Sequence, residues 1–146
     1  MPVLAAAVCL LAIAPAFAEK CSLGLMPPLE VTMRGMQPLV HAQINGKDAL
    51  FIADSGAFIS TVIPDAVSEF GMSLDRTYQN ISVVGAGGPE TAQVARAKTF
   101  TLLGRTFSNV DFVIAGRFFG PDVAGLLGQN VFRTADVEYT RAARRR

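Results

Sequence analysis

Residues 38–57 constrain this chain more than any other stretch. Pro38 to Ile44 alternates, with Val40, Ala42 and Ile44 on one face and His41 and Gln43 on the other, the period of a half-buried strand. Asn45-Gly46 follows. Both residues accept positive φ, which makes the pair the strongest short hairpin signal. The chain is therefore expected to fold back through Lys47 to Ala53. That return strand delivers Leu50-Phe51-Ile52-Ala53 to Asp54, and Ser55-Gly56-Ala57 comes next. The apolar run reads as a buried strand, and the small residues after it read as a tight turn. Together they place one carboxylate at the end of a core strand, supported from behind and open in front. Asp-Ser-Gly alone is a common turn tripeptide, so the rest of the chain has to supply the context.

Upstream, Pro27 and Pro28 open the domain, and Leu29 to Met33 is expected to be a first short strand. Phe58 to Ile63 is apolar and β-branched and is expected to be another buried strand. Pro64 can start a helix and Gly71 can end one, with Ala66, Val67 and Phe70 as its apolar stripe. Asn80 to Val84, then Gly85-Ala86-Gly87-Gly88-Pro89, then Thr91 onward reads as strand, flexible tip and strand. No helix pattern follows the tip and no Lys-Ser/Thr closes it, which argues against a phosphate-binding loop. Gly104-Arg105 marks a turn between Phe100-Thr101-Leu102 and a strand over Val110 to Ile114, where Val110, Phe112 and Ile114 share a face. Val123 to Phe132 reads as an apolar strand that ends in Gly and enters a short helix. Ala135 to Tyr139 is a last strand candidate. Many short strands separated by Gly and Pro turns indicate an all-β barrel or sandwich.

The 146 residues are 51% hydrophobic and 17% charged, enough for one domain with a core and too few for two. His41 is the only histidine, and it lies on a polar face; Cys9 and Cys21 are the only cysteines. A His-based triad, a multi-His metal site or a zinc cluster has too few residues to draw on, so no metal and no cofactor is expected. Without Arg141, Arg144, Arg145 and Arg146, nine basic side chains face twelve acidic ones. The body of the chain is therefore no nucleic-acid surface, and the basic end reads as a solvated tail.

Residues 1–18 contain no charged side chain and end Ala16-Phe17-Ala18, the small-x-small pattern of a signal peptidase site. A basic residue near Met1, usual in such leaders, is missing. Pro15 interrupts the run, which is also short for a membrane span. The expectation is a signal peptide over 1–18, export to the periplasm or the medium, and no stable membrane anchor after cleavage. Residues 19–28 form a lead-in. Cleavage leaves Cys21 alone in the mature chain, too far from Ala18 for a lipoprotein signal.

The chain resembles the retropepsin-like aspartic proteases, in particular their exported bacterial members. Four features carry the resemblance, in order: Ala53-Asp54-Ser55-Gly56-Ala57, the helix after it, the glycine-rich hairpin tip, and Leu126-Leu127-Gly128-Gln129-Asn130. It spans roughly Leu29 to Tyr139, and the domain is expected over residues 29–140. The resemblance implies a closed acid-protease barrel with one or two short helices, one lobe per chain. It implies Asp54 as the catalytic carboxylate and Ser55, Gly56 and Ala57 as its supporting loop. Val84, Gly85, Ala86 and Gly87 become a flap over substrate, and Leu126, Leu127 and Gly128 structural supports beneath the loop. Two departures stand out. Thr is common in the family where Ser55 stands, and family domains continue past the last strand, whereas Tyr139 leads into the basic tail at 141–146. A truncated chain and final residues foreign to the fold both stay open.

Of the seven Asp residues, only Asp54 is followed by Ser-Gly. Acid-protease chemistry needs two carboxylates sharing one proton, so the resemblance implies a homodimer with one Asp54 from each copy, with a second domain lost from a longer precursor as the alternative source. The expected activity is an aspartic endopeptidase on peptide or protein substrates. Two readings of other classes stand beside it. One is a non-catalytic barrel of the same family that binds peptides or a partner protein; the other is a generic exported β-barrel with an accidental Asp-Ser-Gly.

Overall fold

The computed structural model describes residues 24, 26–78, 80–85, 87–117, 119–133 and 137. The hairpin predicted at Asn45-Gly46 is present. β2 (Gln37–Ile44) pairs antiparallel with β3 (Lys47–Ala53), from Ile44 opposite Lys47 to Leu39 opposite Ile52. Asn45 and Gly46 sit at φ 52° and 79°, the twist a two-residue hairpin requires. The Asn45 side chain does more than permit the turn. Its Nδ2 donates to the carbonyls of Phe70 and Gly71, and its Oδ1 accepts from Thr99 N–H. One residue thus ties the hairpin to two distant parts of the chain.

The remaining strands are β1 (Thr32–Arg34), β4 (Thr61–Val62), β5 (Ser73–Leu74), β6 (Ile81–Gly85), β7 (Gly88–Leu102), β8 (Arg105–Ile114) and β9 (Val123–Leu127). β3 runs parallel to β9, β9 antiparallel to β4, β4 parallel to β8, and β8 antiparallel to β7. β7 returns to β2 through Gln43–Thr101 and Ile44–Phe100, which closes a barrel of six strands. β1 extends the sheet from β2, while β5 and β6 extend it from β7. Inside lie Phe51, Phe100 and Phe112, with ring centroids 5.4–6.0 Å apart. Val40, Ile44, Val62 and Leu127 surround them, all buried. Among the described residues two short helices complete the fold, α1 (Pro64–Glu69) and α2 (Gln129–Phe132). Pro64 opens α1, Ala66 and Phe70 are buried, and Gly71 at φ 60° ends it, as expected of those residues.

Several sequence expectations need correction. Phe58 to Ile63 is not one buried strand: only Thr61–Val62 pairs, and Phe58 and Ile59 are 74% and 40% exposed. The backbone of 57–60 bonds instead to the corner around Gly128 and Asn130, so it has no ladder to join. The first strand is Thr32–Arg34 rather than Leu29 to Met33, and its residues are exposed. The glycine-rich tip is shorter than expected, because β6 reaches Gly85 and pairs it with Gly88. Ala86 lies outside the described residues. The later turn is centred on Leu103-Gly104, since Arg105 already pairs with Leu102. The leader at 1–18, Cys21 and the tail at 141–146 also lie outside the described residues, as does the strand expected over Ala135 to Tyr139, except Val137.

Candidate active site

β3 carries Asp54 to the rim of the barrel. Asp54 N–H donates to the Leu127 carbonyl at 2.9 Å, one step beyond the Ala53–Leu127 pair of the β3–β9 ladder. The chain then turns, with Ala57 N–H donating to the Asp54 carbonyl at 3.2 Å. Gly56 N–H donates to Asp54 Oδ1 at 2.9 Å, and the carboxyl is half-buried. A Cβ on Gly56 would lie 3.2 Å from that same oxygen, so glycine keeps the approach to the carboxylate clear.

The loop rests on the segment after β9. Ala57 O accepts from Gln129 N–H at 2.8 Å, and Ser55 O accepts from Gln129 Nε2 at 2.9 Å. Ser60 is fully buried. Its Oγ donates to Asn130 Oδ1 at 2.8 Å and accepts from Gly128 N–H at 3.0 Å, while its own N–H donates to Asn130 Oδ1 at 2.7 Å. Buried polar groups survive when their bonds are made, and here they lock the two segments together. Ser60→Ala orphans the Gly128 N–H and removes one bond to Asn130. It is expected to cost about 1–3 kcal/mol, read as a lower urea midpoint with an unchanged slope.

Leu126 and Leu127 pair with Ile52 and Ala53, and Gly128 packs against the Ala57 and Ile59 backbone. Val84 and Gly85 end β6 on an exposed arm, Val84 at 81%. Gly87 is at its tip, and Gly88 takes φ 99°. The arm meets the barrel through β7 rather than through the Asp54 loop. Sequence reasoning missed Ser60, Gln129 and Asn130 as supports. The available signal was Ser60 itself, a lone hydroxyl inside the apolar run Phe58 to Ile63.

An apolar cluster flanks the carboxylate. Leu39, Ile52 and Val123 are buried together, with Leu126 and Phe119 packed against them. Ile52 lies two residues before Asp54, and side chains of a strand repeat with period two, so the cluster and the carboxyl share one side of β3. Arg34 and Gln37 hold the adjacent loop through the Pro121 and Phe119 carbonyls at 2.8 and 3.0 Å. Among the described residues, no cluster of His, Cys, Asp or Glu could hold a metal ion.

The aspartyl protease family matches residues 40–131, well over half of the chain. Among solved structures, the EIAV protease complexed with the inhibitor HBY-793 is similar at 18% identity and a TM-score of 0.57, covering 75% of this chain and 100% of that one. A retropepsin-like aspartic protease from Rickettsia conorii is similar at 16% identity and a TM-score of 0.57, covering 80% of this chain and 91% of that one. The comparison with curated proteins gives no match. With its Asp-Ser-Gly loop beside Leu126-Leu127-Gly128 at the rim of a closed six-stranded barrel of the retropepsin-like fold, the chain belongs to the aspartyl protease family.

Proposed function

We propose that this chain is an aspartic endopeptidase that acts as a homodimer. The observation that carries the reading is the Asp54 loop: one carboxyl at a strand end, fixed from behind and open in front. Its chemistry needs a second carboxylate close enough that the two share a proton. Asp48 is engaged with Gln43, and Asp75 and Asp111 with Arg96. The economical source is Asp54 of a second copy across a twofold axis. The ionised partner then takes a proton from water while the protonated one polarises the scissile carbonyl, and the pair titrates as a unit. Ser55 is exposed, and in this dimer its hydroxyl would bond to its mate and keep the loops in register. The arm ending in Val84, Gly85, Ala86 and Gly87 offers backbone groups to an extended peptide and closes over it. The apolar cluster around Ile52 favours substrates with apolar side chains flanking the bond. Export after cleavage behind Ala18 is part of the same proposal, and N-terminal sequencing of the exported product tests it.

A peptide-library digest from mildly acidic to neutral pH, with sedimentation under the same conditions, tests activity and assembly. Hydrolysis by a species of twice the monomer mass is expected. Hydrolysis by a strict monomer overturns the shared site. Peptide binding without turnover at any pH supports the non-catalytic barrel instead.

A further inference from the structure

Val94 and Arg96 lie two apart on β7 and pair with Val113 and Asp111 on β8. The alternate residues Ala95, Ala97 and Phe112 fill the barrel core. Val94 and Val113 should therefore face outward, yet they are 8% and 2% exposed. Ile59, Tyr78 and Ile81 stand over them, and together with Phe112 and Asp111 they line an open pocket of about 260 Å³. That is below the range for a drug-sized ligand and suits a single large side chain. Its walls come from both parts of the site: Ile59 is five residues past Asp54, and Ile81 opens the β6 arm. Asp54 itself does not line it.

A carboxylate in an otherwise apolar wall would favour a cation. Here Arg96 takes both oxygens of Asp111, Nε to Oδ1 at 2.6 Å and Nη2 to Oδ2 at 2.8 Å, and reaches Asp75 Oδ2 at 2.9 Å. Asp75 Oδ1 accepts from Thr77 N–H at 2.8 Å, fixing the turn that brings Tyr78 to the cavity. The hydrogen bonds from Thr77, and less strongly Arg96, hold the Asp75 carboxyl below its ordinary range, so it stays charged in mildly acidic solution.

We propose that Arg96 determines specificity: by occupying Asp111 and Asp75 it keeps this cavity apolar in character and reserves it for an uncharged, apolar side chain of the bound peptide. The proposal rests on reading the Asp54 groove as a peptide site. Without Arg96, the Asp111 carboxylate stands unpaired at the wall, with Asp75 behind it, and a Lys or Arg side chain becomes the better occupant, a change of specificity by charge.

The test uses synthetic peptides varied at one position among Leu, Phe, Lys and Glu. Binding is measured on Asp54→Asn, where turnover does not interfere, and kcat/KM with Asp54 intact. With Arg96 present, Leu and Phe are expected to outrank Lys and Glu at one position. Arg96→Gln is expected to raise the relative preference for Lys about two- to fivefold, the scale of partly exposed ion pairs. Adding Asp111→Asn should remove most of that gain, and Arg96→Lys should retain the apolar preference. Should Arg96→Gln fail to fold, Asp111→Asn alone gives the reverse reading, a shift toward Glu. An unchanged Leu-to-Lys ratio in folded Arg96→Gln overturns the proposal, as does an equal loss for every peptide. If no protein form hydrolyses peptides but the binding shift appears, the endopeptidase reading falls and the role of Arg96 stands. If hydrolysis depends on Asp54 but no shift appears, the reverse holds. Absence of any peptide binding overturns both.

Discussion

Asp54→Asn is expected to give a folded, dimeric protein that does not hydrolyse peptides. The amide keeps nearly the shape of the carboxyl but cannot ionise. In a symmetric dimer the substitution alters both halves of the dyad, so no base remains to activate water. Loss of general acid–base catalysis typically costs about 10²–10⁴ in rate, and a site with no base should lose at least that. Folding should survive for two reasons. Asn Oδ1 can still accept from Gly56 N–H, the bond the carboxyl makes at 2.9 Å. Replacing two crowded carboxyls also relieves repulsion between them. Peptide binding should persist, because the groove walls are untouched. Hydrolysis and binding measured side by side for both proteins decide the matter. Wild-type turnover by the Asn form would remove Asp54 from the catalytic role and the endopeptidase assignment with it.

Gly128→Ala is expected to be strongly damaging; among the described glycines only Gly125, whose Cβ would run into the Thr61 carbonyl oxygen, is more crowded by backbone. A Cβ there would lie 2.7 Å from the Ala57 carbonyl oxygen and from Ile59 C, and 2.8 Å from Ile59 O. These are backbone atoms, which cannot swing aside as a side-chain end can. The φ of Gly128 is −102°, a value any residue accepts, so the whole cost is steric. Overpacking of this kind costs about 1–3 kcal/mol and sometimes more, a large share of a small domain's total stability of about 5–15 kcal/mol. The displaced residues 57–59 also lead directly from Asp54 and include the carbonyl that Gln129 N–H holds. Activity should therefore fall further than the lost stability accounts for, because misplaced reacting groups slow a reaction steeply. Gly85→Ala is the control: its Cβ meets nothing within 4 Å and its φ is not positive. A melting temperature lowered by several degrees for Gly128→Ala, and unmoved for Gly85→Ala, is the expected pair of results. Equal melting temperatures would mean that the corner yields easily and does not fix the loop.

The sequence by itself determined the local geometry. Asn45-Gly46 can take the paired positive φ of a hairpin, Pro64 and Gly71 bracket one short helix, and the alternation of Val40, Ala42 and Ile44 assigns an inner face. Each of these is a property of a few adjacent residues, and each is present in the fold. Asp54-Ser55-Gly56 was legible in the same way, because a strand end and a tight turn are local. Tertiary structure decided what depends on residues far apart in sequence. The parallel pairings of β3 with β9 and of β4 with β8, and the closure of β2 on β7, have no local pattern that announces them. It also overturned an expectation of hydropathy. Phe58 stands 74% exposed while Ser60 is fully buried, because Gly128 and Asn130, some seventy residues on, supply the bonds that make burying a hydroxyl favourable. The turn at Leu103-Gly104 follows the same logic. The β7–β8 register places Leu103 at φ 52°, a conformation leucine alone would avoid, and the pairing of the long strands on either side outweighs that local cost.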